Sequence, residues 1–440
     1  MNRKIFWSAL LLIIFYLLIK LVFVFIEPKF IESLLGKIDI ILLIITIVYC
    51  LYLYHIDKET VDKQPVLKLN TNNFVLVALI IFTIAISLVF NLNKKALDWD
   101  AVALYDSRAK ILQSGVKFSD MNMLSKYDDK NKYYYLLYPP FTSIGHFVYY
   151  ELGSRIPVSV IYTINLIILA VVFGLISVEF LSITGALTSV FLLVSNKDIF
   201  SISIIEYTNL PFTTFVVVGS MVHLYSIRKN KGYLYCLGFL LISATSWIRY
   251  LEPVWLIVII SFLITMFTLK QYKNNRLISA LGLAIVLIQY LSWGYFQKYV
   301  SNSPTIFNLT PFIVMESLAG LFSGSFVSIL LYYIKSFGVV FIVYIVSLIK
   351  INKDEPKEYL FIRLIIFLTL VMYFAGIYGI SFMFDWWKEM SGSLVRSSSY
   401  LIPLSIFLIV SNLKYLLENK LGSSKTIDLR NIIKHIKHDK

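Results

Sequence analysis

The sequence has few of the residues that build metal, redox and nucleotide sites. Only two cysteines occur among its 440 residues, Cys50 and Cys236, and both lie inside apolar runs. Neither a disulfide framework nor a zinc site can be argued from them. The chain also has no glycine-rich phosphate loop, no nucleotide-binding fingerprint and no His/Cys cluster. These absences disfavour a nucleotide substrate and a zinc-dependent reaction.

Apolar residues, in contrast, are in excess. The chain is 58% hydrophobic and has a mean hydropathy of +0.76, whereas soluble proteins are about 45–50% apolar. The surplus must face lipid. The apolar runs are long and continuous, as in residues 6–26, and lack the alternation of a membrane β-barrel strand. Because a helix satisfies its own backbone groups in lipid, the sequence predicts an all-α polytopic membrane protein.

About twelve transmembrane helices, each of roughly 20 apolar residues, can be placed along the chain. The first apolar run is too long for a signal peptide and lacks a small-residue cleavage site, so we interpret it as a retained anchor. The predicted spans are 6–26, 38–55, 73–91, 156–180, 184–197, 209–227, 233–250, 253–269, 277–297, 334–350, 359–381 and 399–416.

Lysine and arginine in the short loops predict the orientation of these spans. With the N-terminus inside, every short loop that is rich in these residues also lies inside. We therefore predict that both termini are cytoplasmic, in a cell inner or plasma membrane. The net charge of +14 is explained by this bias, and no nucleic-acid partner is expected because no soluble basic domain is present. The inner segments are 56–72, 228–232, 270–276, 350–358 and the tail after 416.

The spans divide the chain into four regions. Residues 1–91 hold three N-terminal spans, 92–155 form a long outer loop, 156–416 hold the remaining spans, and 417–440 form a basic cytoplasmic tail. An irregular outer segment lies near 298–335 within the third region. Its apolar part, 311–334, is either a further span or a re-entrant helix. The nearby Lys335 favours an interfacial position, because a lysine at mid-membrane is costly.

The long outer loop begins with two carboxylates at the membrane surface. Asp98 and Asp100 follow the third span, with Trp99 between them as an interfacial anchor. Apolar residues from Ala101 to Leu112 recur at helical spacing and predict a juxtamembrane helix. Polar residues, including Asp106 and Arg108, are predicted to lie elsewhere around this helix. A single loop aspartate is ordinarily a solvated charge, so the surrounding pattern has to support any other role.

A second juxtamembrane helix is predicted after the proline pair Pro139 and Pro140. Apolar residues at Phe141, Ile144, Val148 and Leu152 follow that pair at helical spacing. Two surface helices of this kind would flank the central part of the outer loop.

The order of these features resembles the glycosyltransferase C superfamily, whose members are polytopic enzymes that take sugars from polyprenyl-phosphate carriers. Protein O-mannosyltransferases and aminoarabinose transferases that modify lipid A belong to it. The family has an acidic residue at the start of its first large outer loop, followed by two juxtamembrane helices. Residues 98–110 are similar to that start, and YPPFTSIGH (138–146) is similar to the end of that loop. Shorter similarities occur at 206–215, 248–253 and 393–404.

Two features of the chain differ from the family pattern. Two spans precede the span that leads into the outer loop, where the best-known members have one. Ala101 also follows Asp100 at a position where several members have glutamate. The second difference leaves the second acidic residue open: it is either absent or supplied elsewhere, for instance by Asp98 or Asp106.

The resemblance implies transfer of a sugar from a polyprenyl-phosphate carrier to an extracytoplasmic lipid, glycan or protein, with inversion at the anomeric carbon. It implies Asp100 as the base that takes the acceptor proton, with Asp98 as the second candidate. Cations at the outer interface would neutralise the leaving phosphate. Arg249 and Arg396 are the predicted phosphate ligands, although snorkelling to lipid headgroups is the ordinary role of such residues. Lys335 and Lys388 are the weaker candidates.

Further polar residues at the outer ends of the spans are candidates for sugar and acceptor binding. They are Glu206, Asn209, Tyr138 and His146. Family members that use monophosphate carriers generally need no metal, so we expect no cofactor and do not favour a divalent metal. The expected partners are the lipid-linked donor, the bilayer and an acceptor that the sequence does not identify.

Two other functions compete with this interpretation. A lipid-linked-glycan transporter or flippase would carry charges or broken helices at mid-membrane, and the predicted spans hold almost no ionisable residue there. A polymerase or ligase of surface polysaccharide would use similar carriers with a diphosphate donor. The collection of reactive residues at one membrane face favours an interfacial enzyme.

Overall fold

The computed structural model describes most of the chain. The described residues are 2–57, 71–94, 97–99, 101–121, 138–153, 155–250, 252–270, 276–300, 324–352, 355–382, 388 and 391–423. The predicted base Asp100, most of the segment 311–334 and the end of the basic tail lie outside these residues.

The described part of the chain is built from helices and contains no β-strand. This confirms the predicted all-α fold. In chain order the helices are α1 (Asn2–Ile26), α2 (Lys29–Glu32), α3 (Leu34–Asp57), α4 (Thr71–Leu92), α5 (Ser107–Gln113), α6 (Phe141–Glu151), α7 (Val160–Ser177), α8 (Ile183–Ser195), α9 (Lys197–Ser203), α10 (Asn209–Lys229), α11 (Gly232–Ile248), α12 (Val254–Thr268), α13 (Arg276–Tyr295), α14 (Gly324–Phe337), α15 (Val339–Leu348), α16 (Tyr359–Ser381), α17 (Ser391–Ser397) and α18 (Leu401–Ser423).

Many of these helices are long and apolar enough to cross a bilayer. Seven of the described helices meet that standard alone, and up to nine spans result if each of two bent helix pairs counts as one. Helices α11 and α12 and the segment Leu401–Leu417 of α18 are apolar but shorter. The protein is therefore a multi-pass membrane protein. A count of twelve requires both bent pairs and all three shorter helices to cross, and it stays a prediction.

The two bent pairs have local causes in the sequence. Helices α8 and α9 meet at 62°, and Asn196 between them caps α9 by accepting from the amides of Asp198 and Ile199. Helices α14 and α15 meet at 96°. Gly338 joins them with a φ of +54°, a conformation that glycine adopts without the steric cost that a Cβ imposes.

The centre of the bundle is formed by α10 and α11. Every residue from Asn209 to Ile227 is buried, as is every residue from Tyr233 to Ile248. The two helices approach closely at Gly219, where an added Cβ would lie 2.7 Å from the Ile242 side chain. Helices α3 and α4, in contrast, expose many Ile, Leu, Val and Phe side chains. Such exposure is expected of lipid-facing helices at the edge of a membrane bundle.

Contacts between loops define two ends of the bundle. At one end, Lys231 lies 3.2 Å from Asp57, and Thr184 donates to Asn73 at 2.9 Å. These residues belong to, or border, the segments that the sequence predicts to be cytoplasmic. We call this the inner end and the opposite one the outer end, after the predicted orientation.

At the outer end, the long loop packs back on the first and fifth spans. The amide of Ser119 donates to Glu27 at 2.8 Å, and Lys94 contacts Glu206 at 2.8 Å. Each of these four contacts therefore joins residues that the charge pattern predicts to lie on the same side of the membrane.

A buried ion pair lies inside the bundle, within segments where the sequence analysis expected almost no charge. Lys20 of α1 lies 2.5 Å from Asp39 of α3, and both side chains are fully buried. Gln289 and Ser292 of α13 also donate to Asp39, and Tyr16 donates to Gln289. Because every charge has partners, the cluster satisfies the requirement that polar groups in lipid be paired internally.

Candidate functional site

Three side chains meet where the outer loop begins. Lys94 lies 2.5 Å from the Oδ2 atom of Asp98 and 2.8 Å from the Oε2 atom of Glu206. The same ammonium donates to the carbonyl of Ile204 at 2.6 Å. The Asp98 carboxylate is 41% exposed, whereas Glu206 is fully buried. One ammonium thus joins a solvent-accessible carboxylate to a buried one from a distant part of the chain.

The outer end of α4 is fixed by hydrogen bonds to two neighbouring helices. The side-chain amide of Asn91 donates to Thr163 of α7 and to the carbonyl of Ser203 of α9, both at 2.8 Å. The Ser159 hydroxyl donates to the Asn91 carbonyl at 2.8 Å, and Ser87 adds contacts to Thr163 and Ser203. These bonds hold the segment that carries Lys94 and Asp98 against the segment that carries Glu206.

A groove of about 620 Å³ opens beside this cluster. Its lining combines three polar residues, Asn93, Lys94 and Asp98, with an apolar wall formed by Val89, Phe90, Ile204 and Ile205. Val89 and Phe90 are more than half exposed and belong to the lipid-facing helix α4. The groove therefore connects the bilayer side of the bundle with the Asp98 carboxylate. Its volume falls in the range of about 300–1,000 Å³ that small-molecule sites occupy.

The buried Glu206 carboxyl differs from the exposed Asp98 carboxylate in its environment. Burial raises the pKa of Glu206, and the adjacent Lys94 opposes this shift in part. Its Oε2 atom is held by Lys94, while its Oε1 atom is buried without a hydrogen-bond partner among the described residues. A buried carboxyl with a raised pKa and an oxygen atom that accepts no hydrogen bond from a described residue is a candidate for proton transfer.

The predicted phosphate ligands lie on a second part of the outer end. Arg249 follows α11, pairs with Glu252 and donates to the Ser397 hydroxyl at 3.0 Å. Tyr373 donates to the same glutamate at 2.8 Å. Arg396, next to Ser397, lies 5.2 Å from the centre of the Tyr207 ring. The two arginines therefore reach the same neighbourhood although 147 positions separate them in the sequence.

Aromatic and hydroxyl side chains connect the arginines with the start of the outer loop. The hydroxyls of Tyr105 and Thr208 lie 3.4 Å apart, and the Tyr105 and Tyr138 rings contact edge to face with centroids 6.2 Å apart. Both tyrosines interact electrostatically with Arg249. Burial raises the pKa of Tyr105 to about 12. Tyr105 is therefore a neutral hydrogen-bonding group at physiological pH.

A third cluster surrounds Asp106 between the two juxtamembrane helices. Tyr150 donates to Oδ1 of Asp106, Lys110 lies 2.7 Å from Oδ2, and Nδ1 of His146 lies 3.8 Å from Oδ1. Burial by itself raises the pKa of Asp106, but interactions with His146, Lys110 and Tyr150 outweigh it and lower the pKa to about 2. His146 also contacts the Tyr162 hydroxyl at 3.1 Å. The cluster joins α5 and α6 to α7.

Arg108 fastens the same helices from the other side. The guanidinium is fully buried and donates to the carbonyls of Leu104 and Tyr138, both at 2.8 Å. It lies between the rings of Tyr105 and Phe118, at 5.7 and 5.2 Å from their centres. Burial lowers the pKa of Arg108 to about 10, so the side chain stays charged at neutral pH and uses that charge on backbone oxygens.

The structure brings several of the predicted site residues to the outer end. Asp98 and Glu206 share Lys94, and Arg249 donates to Ser397, the chain neighbour of Arg396. Tyr138 lies beside Tyr105, and Asn209 is buried at the start of α10. His146 contacts Asp106 instead of facing the groove lining.

The weaker cation candidates lie apart from these clusters in the described contacts. Lys335 is exposed close to the bend after α14. Lys388 is exposed, and its carbonyl accepts a hydrogen bond from Tyr332. Among the described residues, no group of three or more His, Cys, Asp and Glu side chains is placed to hold a metal ion.

Sequence reasoning missed Lys94 and Arg108 as parts of this end of the molecule, and it named Asp106 only as an alternative carboxylate. In the sequence, Lys94 is one of two adjacent lysines at the start of the outer loop. Nothing near it indicates its partner Glu206, which is 112 positions away. Asp106 and Arg108 were predicted to lie away from the apolar face of their helix, yet both are buried. Among the described residues, the carbonyls of Tyr138 and Pro139 accept from Arg108, and the Tyr150 hydroxyl donates to Asp106.

No family model, no curated protein and no solved structure matches this chain.

Proposed function

We propose that the protein is a membrane glycosyltransferase that moves a sugar from a polyprenyl-phosphate carrier to an extracytoplasmic acceptor. The observation that supports this most is that a groove beside the lipid-facing helix α4 reaches Asp98 at the same end of the bundle as Arg249 and Arg396. A lipid-linked donor has its reactive phosphate in the headgroup region, and the two arginines would meet that phosphate there. The site would face the outside of a cell inner or plasma membrane.

The chemistry requires a base and a cationic site. The acceptor oxygen forms a bond to the anomeric carbon while the bond from that carbon to the phosphate oxygen breaks. The phosphate leaves with the bonding electron pair, and a carboxylate takes the acceptor proton. Asp100 is the first candidate for this base and Asp98 the second. Displacement in a single step of this kind inverts the anomeric configuration.

The leaving phosphate acquires charge that must be stabilised. Arg249 and Arg396 are suited to this role because a guanidinium donates several hydrogen bonds in one plane to phosphate oxygens. Glu252 and Tyr373 orient Arg249, in the way that supporting contacts fix a binding residue before its ligand arrives.

A transporter is the alternative that one observation favours. The buried pair of Lys20 and Asp39 is the type of intramembrane charge that transporters use. Each member of the pair is already saturated by Tyr16, Gln289 and Ser292. We therefore assign this pair to the assembly of the bundle and retain the enzyme as the proposal.

A transfer assay in proteoliposomes tests the proposed function. Radiolabelled polyprenyl-phosphate sugars would be supplied to wild type and to Asp100→Asn and Asp98→Asn variants, with label transfer to membrane components measured. The variant that lacks the base should lose about 100-fold or more in rate. Asp120→Asn is the matched control, since that aspartate lies elsewhere in the outer loop, where it makes a 3.7 Å surface pair with Lys29 and accepts from the Ser119 hydroxyl at 3.4 Å. The proposal is wrong if wild type transfers label from none of the donors.

A further inference from the structure

Among the described residues that line the groove beside Asp98, Lys94 is the only cation, and its three donors are already used. A lysine ammonium has three donors and no acceptor. Lys94 directs them to Asp98 at 2.5 Å, to Glu206 at 2.8 Å and to the Ile204 carbonyl at 2.6 Å. A phosphate that entered the groove would find no free donor on this lysine. It would also face the Asp98 carboxylate, which lines the groove.

The polar end of the groove instead offers hydrogen-bond acceptors. The Asp98 carboxylate is partly exposed and lines the groove. Asn93 adds a second exposed polar side chain. Behind them, the Oε1 atom of Glu206 is buried and accepts no hydrogen bond from a described residue. Such an environment suits a head that carries hydroxyl groups, because each hydroxyl donates to a carboxylate and brings no negative charge.

The rest of the groove is suited to an acyl or prenyl chain. Val89 and Phe90 are 57% and 56% exposed on the lipid-facing helix α4, and Ile204 and Ile205 form the opposite wall. A chain lying between these walls leaves the bilayer without crossing water. Burial of apolar surface on both walls would then hold it.

We infer that this groove binds an uncharged lipid whose hydroxyl-bearing head reaches Asp98, with its apolar chain against Val89, Phe90, Ile204 and Ile205. If the proposed function holds, this lipid is the sugar acceptor, and the anionic donor binds instead near Arg249 and Arg396. The identity of the acceptor as a lipid rests on that function. The preference of the groove for an uncharged head does not depend on the proposed function.

Photolabelling of the full-length protein in nanodiscs tests this inference. One probe is a monoacylglycerol that carries a diazirine in its acyl chain, and the matched probe is the lysophosphatidic acid with the same chain. Labelled peptides would be quantified by mass spectrometry and normalised to the lipid-facing surface of α16 around Phe367. The neutral probe should label the peptides that contain Val89–Phe90 and Ile204–Ile205 about threefold or more over the anionic probe, since a hydrogen bond to a charged group contributes about 1.5–3 kcal/mol.

Variants separate the groove from general contact with lipid. Ile205→Trp and, independently, Val89→Trp fill the groove and should remove most of the neutral labelling. Ile81→Trp is the matched control, because Ile81 is 62% exposed on the same helix and does not line the groove. Asp98→Asn replaces a charged acceptor of Lys94 with a neutral one, so one Lys94 donor becomes available to a phosphate. Labelling by the anionic probe should therefore rise, and labelling by the neutral probe should fall.

The inference is overturned if the anionic probe labels the wild-type groove as strongly as the neutral probe. It is also overturned if both groove-filling variants label like wild type. Neither outcome depends on catalysis. Neutral labelling without any sugar transfer would contradict the proposed function alone, and transfer with equal labelling by both probes would contradict the groove assignment alone.

Discussion

Asp106 stabilises the outer loop through a charge that is almost completely removed from solvent. Its pKa is lowered from 3.8 to about 2, since His146, Lys110 and Tyr150 outweigh the effect of burial. A carboxyl whose pKa is lower in the folded state stabilises the protein above its unfolded-state pKa. That stabilisation disappears as the pH falls through the folded-state value. The contribution is therefore complete at neutral pH and decreases between about pH 4 and pH 2.

Asp106→Asn should lower the free energy of unfolding at pH 7 by about 1–2 kcal/mol. At pH 3 the difference between wild type and variant should fall to about half, because the wild-type carboxylate then begins to lose its advantage. Thermal unfolding in detergent at both pH values measures this. Asp120→Asn is the control and should change the melting temperature little at either pH. Equal differences at pH 7 and pH 3 would show that the ionised carboxylate is not the source of the stability.

Arg108→Lys tests whether the planar guanidinium of Arg108 stabilises the packing of the juxtamembrane helices. A lysine keeps the charge but cannot donate in one plane to Leu104 and Tyr138 while stacking between the rings of Tyr105 and Phe118. We expect a loss of about 2 kcal/mol or more, since a buried charge is left incompletely paired. Faster amide exchange in α6 should accompany the lower melting temperature. Arg155→Lys, at an exposed arginine, should change neither quantity.

At the scale of whole helices, the buried Lys20–Asp39 pair joins α1, α3 and α13. Lys20→Met leaves Asp39 as an uncompensated charge inside the bundle and should cost about 3 kcal/mol or more. Lys20→Met combined with Asp39→Leu removes both charges and should recover much of that loss. Melting temperatures of both single variants and the double variant measure the coupling. Strict additivity of the two single effects would rule out a direct interaction.

A matched pair at the inner end provides the comparison for this experiment. Lys229 and Glu179 lie 3.3 Å apart with the lysine 30% exposed. Lys229→Met should cost less than about 1 kcal/mol, as is usual for pairs that water can reach. If Lys229→Met cost as much as Lys20→Met, burial of the Lys20–Asp39 pair would not explain the cost of breaking that pair.

Helices were predictable from the sequence where their apolar runs were long and uninterrupted. The predicted span 359–381 coincides with Tyr359–Ser381, and 209–227 falls within Asn209–Lys229. The bends after Ser195 and Phe337 were not predicted, because an apolar run gives no direction change. They depend on the Asn196 cap and on the backbone of Gly338.

The candidate site was predictable only where neighbouring residues carried the signal. Asp98 could be predicted to lie at the end of a span because it follows an apolar run directly. The link from Asp98 through Lys94 to Glu206 could not be predicted, since the contact between Lys94 and Glu206 joins residues 112 positions apart. The same holds for Lys20, Asp39 and Gln289, where three separate helices each contribute one polar side chain to a single cluster.

For the whole molecule, the contacts group the loops into two ends, while the assignment of the inner end to the cytoplasm rests on the charge pattern. Single cysteines at exposed lysines test it: Lys117→Cys in the outer loop and Lys357→Cys at the inner end. Cys50 and Cys236 are buried and should react little. A membrane-impermeant maleimide should label Lys117→Cys in intact cells and Lys357→Cys only after permeabilisation, because basic loops are retained inside. The reverse result would put Asp98, both arginines and the groove on the cytoplasmic face, where an extracytoplasmic transfer reaction is impossible.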